Sequence, residues 1–144
     1  MIDPKRQEEL RESIELFYFA YRAFTSRPDR ILQQRGLGRV HHRILYFVGR
    51  NPGISVNDLL TILDVSKQAL NAPLRQLIEM KLATAEAAPH DRRYKQLHLT
   101  AAGEKLESQL TGTQLRHLSS VFEAADGKAE KAWQAIMRTL PEKS

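Results

Sequence analysis

Two adjacent histidines, His41 and His42, and a carboxylate within a basic run, Asp91, are the side chains in this sequence that invite a catalytic or metal-binding reading. Neighbouring residues on a helix point about 100° apart, so the two imidazoles do not easily converge on one centre. No H-x-x-x-H or H-E-x-x-H spacing, such as a helical zinc site uses, is present. The chain has no cysteine, which removes disulfides, thiolate metal sites, thiol peroxide sensing and cysteine nucleophiles together. A glycine-rich phosphate loop and a serine elbow are also missing. The expectation is therefore no enzyme, no metal and no cofactor, with one histidine packed and the other facing solvent or lining a ligand site.

The chemistry of polyanion recognition is better represented. Lys and Arg number 22 against 17 Asp and Glu, for a net charge of +5. Between Ser66 and His98 six basic residues (Lys67, Arg75, Lys81, Arg92, Arg93, Lys95) face three acidic ones, so this stretch holds +3 of the total. In "SKQALNAPLRQLIEM" the apolar Leu70, Leu74, Leu77 and Ile78 recur at helical spacing. That spacing puts Gln68, Asn71 and Arg75 on the opposite face, with Ser66 as N-cap and Lys67 in the first turn. Gln and Asn match adenine edges, Arg matches guanine, and a major groove admits one helix. A plain solvated face is the competing reading of the same stripe. In "PHDRRYKQLHL", Arg93 suits a narrow minor groove, while Arg92 and Lys95 suit phosphates.

These side chains need elements to hold them. Pro73 falls inside the expected reading helix, where proline removes a hydrogen bond at a cost of about 3 kcal/mol. Because the apolar spacing runs unbroken across it, one kinked helix is expected rather than two elements. The proline then either aims the first turn or is a neutral substitution tolerated by packing. Upstream, Asp3 and Pro4 open a long helix with Leu10, Ile14, Phe17, Tyr21 and Phe24 in a heptad-like stripe, which Pro28 is expected to close. Arg39–Arg50 reads as a second helix ended by the turn "NPG", and Ser55 with Asp58 caps a short third one. After Met80, "LATAEAA" and "YKQLHL" alternate as two antiparallel strands with "PHDRR" as the exposed tip. Thr100 caps a long helix carrying Leu106, Leu110, Leu118, Val121 and Phe122, and a last helix carries Ala129, Trp133, Ile136 and Leu140.

The fold expected is mainly α with a small β-hairpin wing: a winged helix-turn-helix at about 38–100, flanked by dimerisation helices at about 4–27 and 101–140, in one domain spanning 1–144. No apolar run approaches the ~20 residues of a membrane span, and the start "MIDPKRQEEL" is charged, so a cytoplasmic protein without membrane contact is expected.

Within that layout, Asp91, Arg93, Leu99, Thr100 and Gly103 follow the spacing D-x-R-x5-L-T-x2-G, which resembles the wing signature of the MarR family of bacterial transcription regulators. The resemblance extends over "GLGRVHHRILYFV", the "SKQAL" start of the reading helix and the long terminal helices. It implies a homodimer that binds palindromic double-stranded DNA, acts as a repressor, and is released by a small aromatic or phenolic ligand. It also implies that Asp91 pairs with Arg93 or a neighbouring arginine to hold the wing. The ligand pocket would involve Tyr18, Tyr21, His41, His42 and Phe47, residues that more often form an ordinary core. The sequence departs from the family pattern at Ala72 and Pro73, and at Lys81 in place of a common C-cap glycine. A winged helix also mediates protein contacts, so an interaction module without specific DNA binding is the alternative. Duplex binding that weakens steeply with salt separates the two.

Overall fold

The computed structural model describes residues 1–141. Among them the chain forms α1 (Pro4–Gln34), α2 (Arg39–Arg50), β1 (Ile54–Ser55), α3 (Val56–Leu63), α4 (Lys67–Glu79), β2 (Ala83–Ala88), β3 (Asp91–Leu99), α5 (Ala101–Ala124) and α6 (Gly127–Thr139). The architecture is a winged helix-turn-helix between long terminal helices.

The helix starts follow local chemistry. Side chains of Asp3, Ser55, Ser66 and Thr100 accept backbone N–H groups of Arg6, Asp58, Ala69 and Gly103 at 2.9–3.1 Å, satisfying donors that a helix N-terminus leaves open. Asp126 does the same for α6. The helix end expected at Pro28 is corrected by the structure: α1 runs through it to Gln34 and absorbs Ile31 and Leu32. Pro28 and Leu32 are fully buried, as side chains under α5 and α2 need to be. Burying apolar side chains at roughly 1.5–3 kcal/mol each offsets the bond lost at the proline. The true stop is Gly36 at φ +71, where Leu37 N–H reaches Leu32 O and Gly36 N–H reaches Gln33 O.

α4 is one helix across Pro73, as its apolar spacing requires. It ends in the same double hydrogen-bond pattern, with Leu82 N–H on Leu77 O, Lys81 N–H on Ile78 O, and Lys81 at φ +61. Lysine therefore adopts the left-handed conformation that glycine takes without steric cost.

The sheet has three strands in the order β1-β3-β2, one more than the hairpin alone. β1 pairs through Ile54 with Leu97 and Ser55 with Gln96; two residues are too few for any periodicity to announce them. The wing turn is also tighter than expected. Ala88 pairs with Asp91, so only Pro89 and His90 lie between the strands.

Leu32, Ile44, Leu45, Leu59, Leu70, Leu77, Leu97 and Leu110 meet in one core beneath these elements. α5 joins it by close approach: a Cβ on Gly103 would lie 1.9 Å from the Leu82 carbonyl oxygen. The first half of α1 and all of α6 pack on little of their own chain. Ile14, Phe17, Phe19, Leu115, Val121 and Ile136 remain exposed, Ile14 by 67% and Ile136 by 63%. Phe122 and Trp133 meet edge to face at 5.5 Å and join α5 to α6.

Candidate nucleic-acid interface

α4 buries Leu70, Leu74 and Leu77 and leaves Lys67, Gln68, Asn71 and Arg75 exposed, because residues three and four apart share one helix face. Ser66 caps that helix and is exposed itself. The structure thus brings the expected reading side chains to one solvent-facing surface. Its position is set by a residue the sequence reading passed over, Gln76. His41 Nδ1 accepts the Gly38 N–H at 2.9 Å, which leaves the ring proton on Nε2 to be donated to Gln76 Oε1 at 2.9 Å. Gln76 Nε2 in turn approaches the Gly36 carbonyl at 3.4 Å. The reading helix is tied in this way to the turn between α1 and α2. Nothing in local sequence signals a contact across 35 positions.

The wing carries the other basic group. Asp91 accepts the Arg93 backbone N–H at 2.9 Å, and its two oxygens accept Nε at 3.1 Å and Nη2 at 2.9 Å. These bonds from Arg93 hold the Asp91 carboxyl below the usual carboxylate range and raise Arg93 further above its own, so both stay charged at any ordinary pH. Arg93 nevertheless keeps 88% of its side-chain surface in solvent. Asp91 orients the guanidinium without hiding it. Arg92 and Lys95 are also exposed.

A cleft of about 340 Å³ opens between α1, α2 and α5. Of the expected pocket residues it brings together Tyr21, His42 and Phe47. Tyr18 and His41 lie outside its lining: Tyr18 sits 5.7 Å under the Arg22 guanidinium, and His41 faces α4. His42 and His41 point about 100° apart around α2, the first into the cleft and the second toward α4. Phe24, Asp29, Arg39, Arg43, Thr111 and Leu118, not expected there from the sequence, also line it. Arg39 Nε donates to Asp29 at 2.9 Å and stands 5.5 Å above the Tyr21 ring, while Arg43 Nη2 donates to the Tyr21 phenol at 2.8 Å. His42 Nε2 lies 3.1 Å from Thr111 Oγ1, whose own proton goes to Glu107. Burial pushes the His42 pKa down; Glu107 and Asp29 oppose that shift and Arg43 adds to it.

Among the described residues there is no cluster of three or more metal-ligating side chains and no helix long and apolar enough to cross a membrane.

Residues 35–93 match a family model described as MarR family. The HTH-type transcriptional regulator PetP of Rhodobacter capsulatus is 40% identical over 133 residues, covering 92% of this chain and 80% of that protein. The structure of Streptococcus pneumoniae FabT in complex with DNA superposes with a TM-score of 0.81 at 13% identity, over 91% of this chain and 94% of that one. A Staphylococcus aureus MepR–DNA complex gives 0.72 at 20%, over 88% and 93%.

Proposed function

The chain belongs to the MarR family of transcription regulators, and from that membership we propose that it is a homodimeric, sequence-specific double-stranded DNA-binding repressor acting on a palindromic operator in the cytoplasm. One observation carries the reading: an exposed, helix-borne set of Lys67, Gln68, Asn71 and Arg75 and a wing whose arginine is pre-oriented by Asp91 belong to the same small molecule. A helix of that composition offers base-edge partners, and a fixed exposed guanidinium suits the narrow, electronegative minor groove beside it. Arg92 and Lys95 supply phosphate contacts that set affinity more than sequence preference.

The dimer follows from surface chemistry. Ile14, Phe17, Phe19 and Tyr21 on α1, with Leu115 and Val121 on α5 and Ile136 on α6, are exposed apolar side chains, which a second copy related by a two-fold axis would cover. The whole chain then works as one domain, with α1, α5 and α6 for assembly and residues from about 38 to 100 for DNA. The cleft beside Tyr21 and His42 is the place for a releasing effector. Its aromatic walls and its Arg39 and Arg43 suit a small aromatic or phenolic molecule.

Selection of bound sequences from random duplex DNA tests the function and yields the operator. The expected product is an inverted repeat with half-sites centred about ten base pairs apart, and binding that falls steeply with salt. No enrichment at low salt would instead support an interaction module. Sedimentation as a stable 16.5 kDa monomer at micromolar concentration would refute the dimer.

A further inference from the structure

We propose that Tyr94 is a DNA-backbone contact of the wing, its hydroxyl donating a hydrogen bond to a phosphate oxygen beside the groove that receives Arg93. The inference rests on the reading of the wing as a DNA contact and adds to it a residue of a different chemical kind.

The register of the wing is the starting point. Ala87 pairs with Lys95, and the next residue of β2, Ala88, pairs with Asp91. One step along β2 is matched by four along β3, so Arg92, Arg93 and Tyr94 stand out of the ladder as a three-residue bulge. Bulges bend a strand and re-aim its side chains, and this one is stiffened from within. Asp91 accepts both the Arg93 backbone N–H and its guanidinium, so the chain entering Tyr94 is held before any partner arrives.

Tyr94 keeps 49% of its surface in solvent and is not among the residues of the leucine core. A large, half-open ring contributes little there to folding. Its chain neighbours Arg92, Arg93 and Lys95 carry three positive charges, and the nearby carboxylate, Asp91, is already engaged. Those charges draw a polyanion to the stretch of strand that carries the exposed phenol. Duplex DNA hides the faces of its bases by stacking, so an aromatic ring finds no base face to stack on as it does in single strands. What a duplex presents at the groove edge is sugar and phosphate, to which tyrosine hydroxyls donate. A neutral donor adds affinity without releasing counterions, whereas Arg and Lys contacts make affinity fall with salt. The two kinds of contact are therefore separable by experiment.

The test is Tyr94→Phe, which keeps the ring and whatever packing it makes and removes only the hydroxyl. Wild type, Tyr94→Phe and Arg93→Ala are titrated with the selected operator and with an unrelated duplex of equal length at several salt concentrations, alongside thermal melting. Loss of about tenfold or more in affinity for both duplexes, with unchanged salt slope and unchanged melting, supports the assignment. Wild-type affinity in Tyr94→Phe while Arg93→Ala is weakened overturns it and leaves the wing reading intact. Weakening confined to the operator overturns the phosphate assignment in favour of base reading. A lowered melting temperature in parallel with lowered affinity overturns it in favour of a structural hydroxyl. Failure of wild type to bind either duplex at low salt removes this inference together with the DNA-binding reading.

Discussion

Replacing Gly103 by alanine should destabilise the protein, although helix propensity alone argues the reverse. Gly103 is the third residue of α5, where alanine would ordinarily gain about 0.5–1 kcal/mol over glycine. Its added Cβ, however, would stand 1.9 Å from the Leu82 oxygen and 2.9 Å from the Leu82 carbonyl carbon, both backbone atoms that no rotamer change can move. Relief requires the start of α5 to withdraw by more than an ångström. That movement strains the Thr100 N–H to Leu82 O bond at 3.1 Å and the Thr100 hydroxyl to Lys81 O bond at 2.7 Å. Two hydrogen bonds at about 1 kcal/mol each, plus an overpacking cost of about 1–3 kcal/mol, exceed the propensity gain. The expected net loss is roughly 2–4.5 kcal/mol. Gly112→Ala in the same helix is the control: its Cβ would meet only the guanidinium end of Arg116, at 3.2 Å, which can swing away. Urea unfolding of both variants at equal protein concentration measures the difference. A Gly103→Ala midpoint equal to or above wild type would refute the close-approach argument.

Pro73→Leu should stabilise the protein by up to about 3 kcal/mol, since it restores a helix bond to the Ala69 carbonyl; altered operator preference in the same variant supports an aiming role for the proline, and unchanged preference removes it. Arg93→Ala should weaken operator binding by about ten- to hundredfold and relax preference at flanking A·T positions, while Lys95→Ala should mainly lower the salt slope by about one unit per site; both are read in fluorescence titrations across salt. For His42 the sign follows from linkage. Its folded pKa lies below the ordinary 6.5, so in acid the unfolded chain binds a proton that the folded one resists, and stability should be level above about pH 6.5 and fall as pH drops below it. His42→Gln should flatten that fall between pH 6.5 and 5 in urea midpoints, and an unaltered profile would count against burial as the cause.

Much of the architecture was legible because its signals are local. Asp3, Ser55, Ser66 and Thr100 each cap the helix expected of them, since a side-chain oxygen next to the first turn answers donors within three residues. The stripe Leu70, Leu74, Leu77 carried α4 across Pro73 for a related reason: periodic burial outweighs one lost bond. The same weighing, applied at Pro28, would have kept α1 going, but the partners that bury Pro28 and Leu32 come from later in the chain. Of the residues expected at a pocket, Tyr21, His42 and Phe47 line one cleft, while Tyr18 and His41 lie outside it. Composition names aromatic residues without giving the rotation of each about its helix axis.

The sequence by itself determined the chemical vocabulary and the local punctuation of this protein. It set a basic, cysteine-free chain, helix starts at capping side chains, and a carboxylate two residues from the arginine it holds. Only the tertiary structure decided the addition of β1 to the wing, the three-residue bulge that lifts Arg92 to Tyr94, the Gln76 to His41 tie and the seating of Gly103 against Leu82. The physical reason is the range of the interactions. Caps and turns satisfy backbone groups with atoms a few residues away, so their residue types suffice to reveal them. Strand pairing, buried side-chain bonds and close backbone approach draw their free energy from partners tens of residues distant, and those partners meet only when the whole core closes.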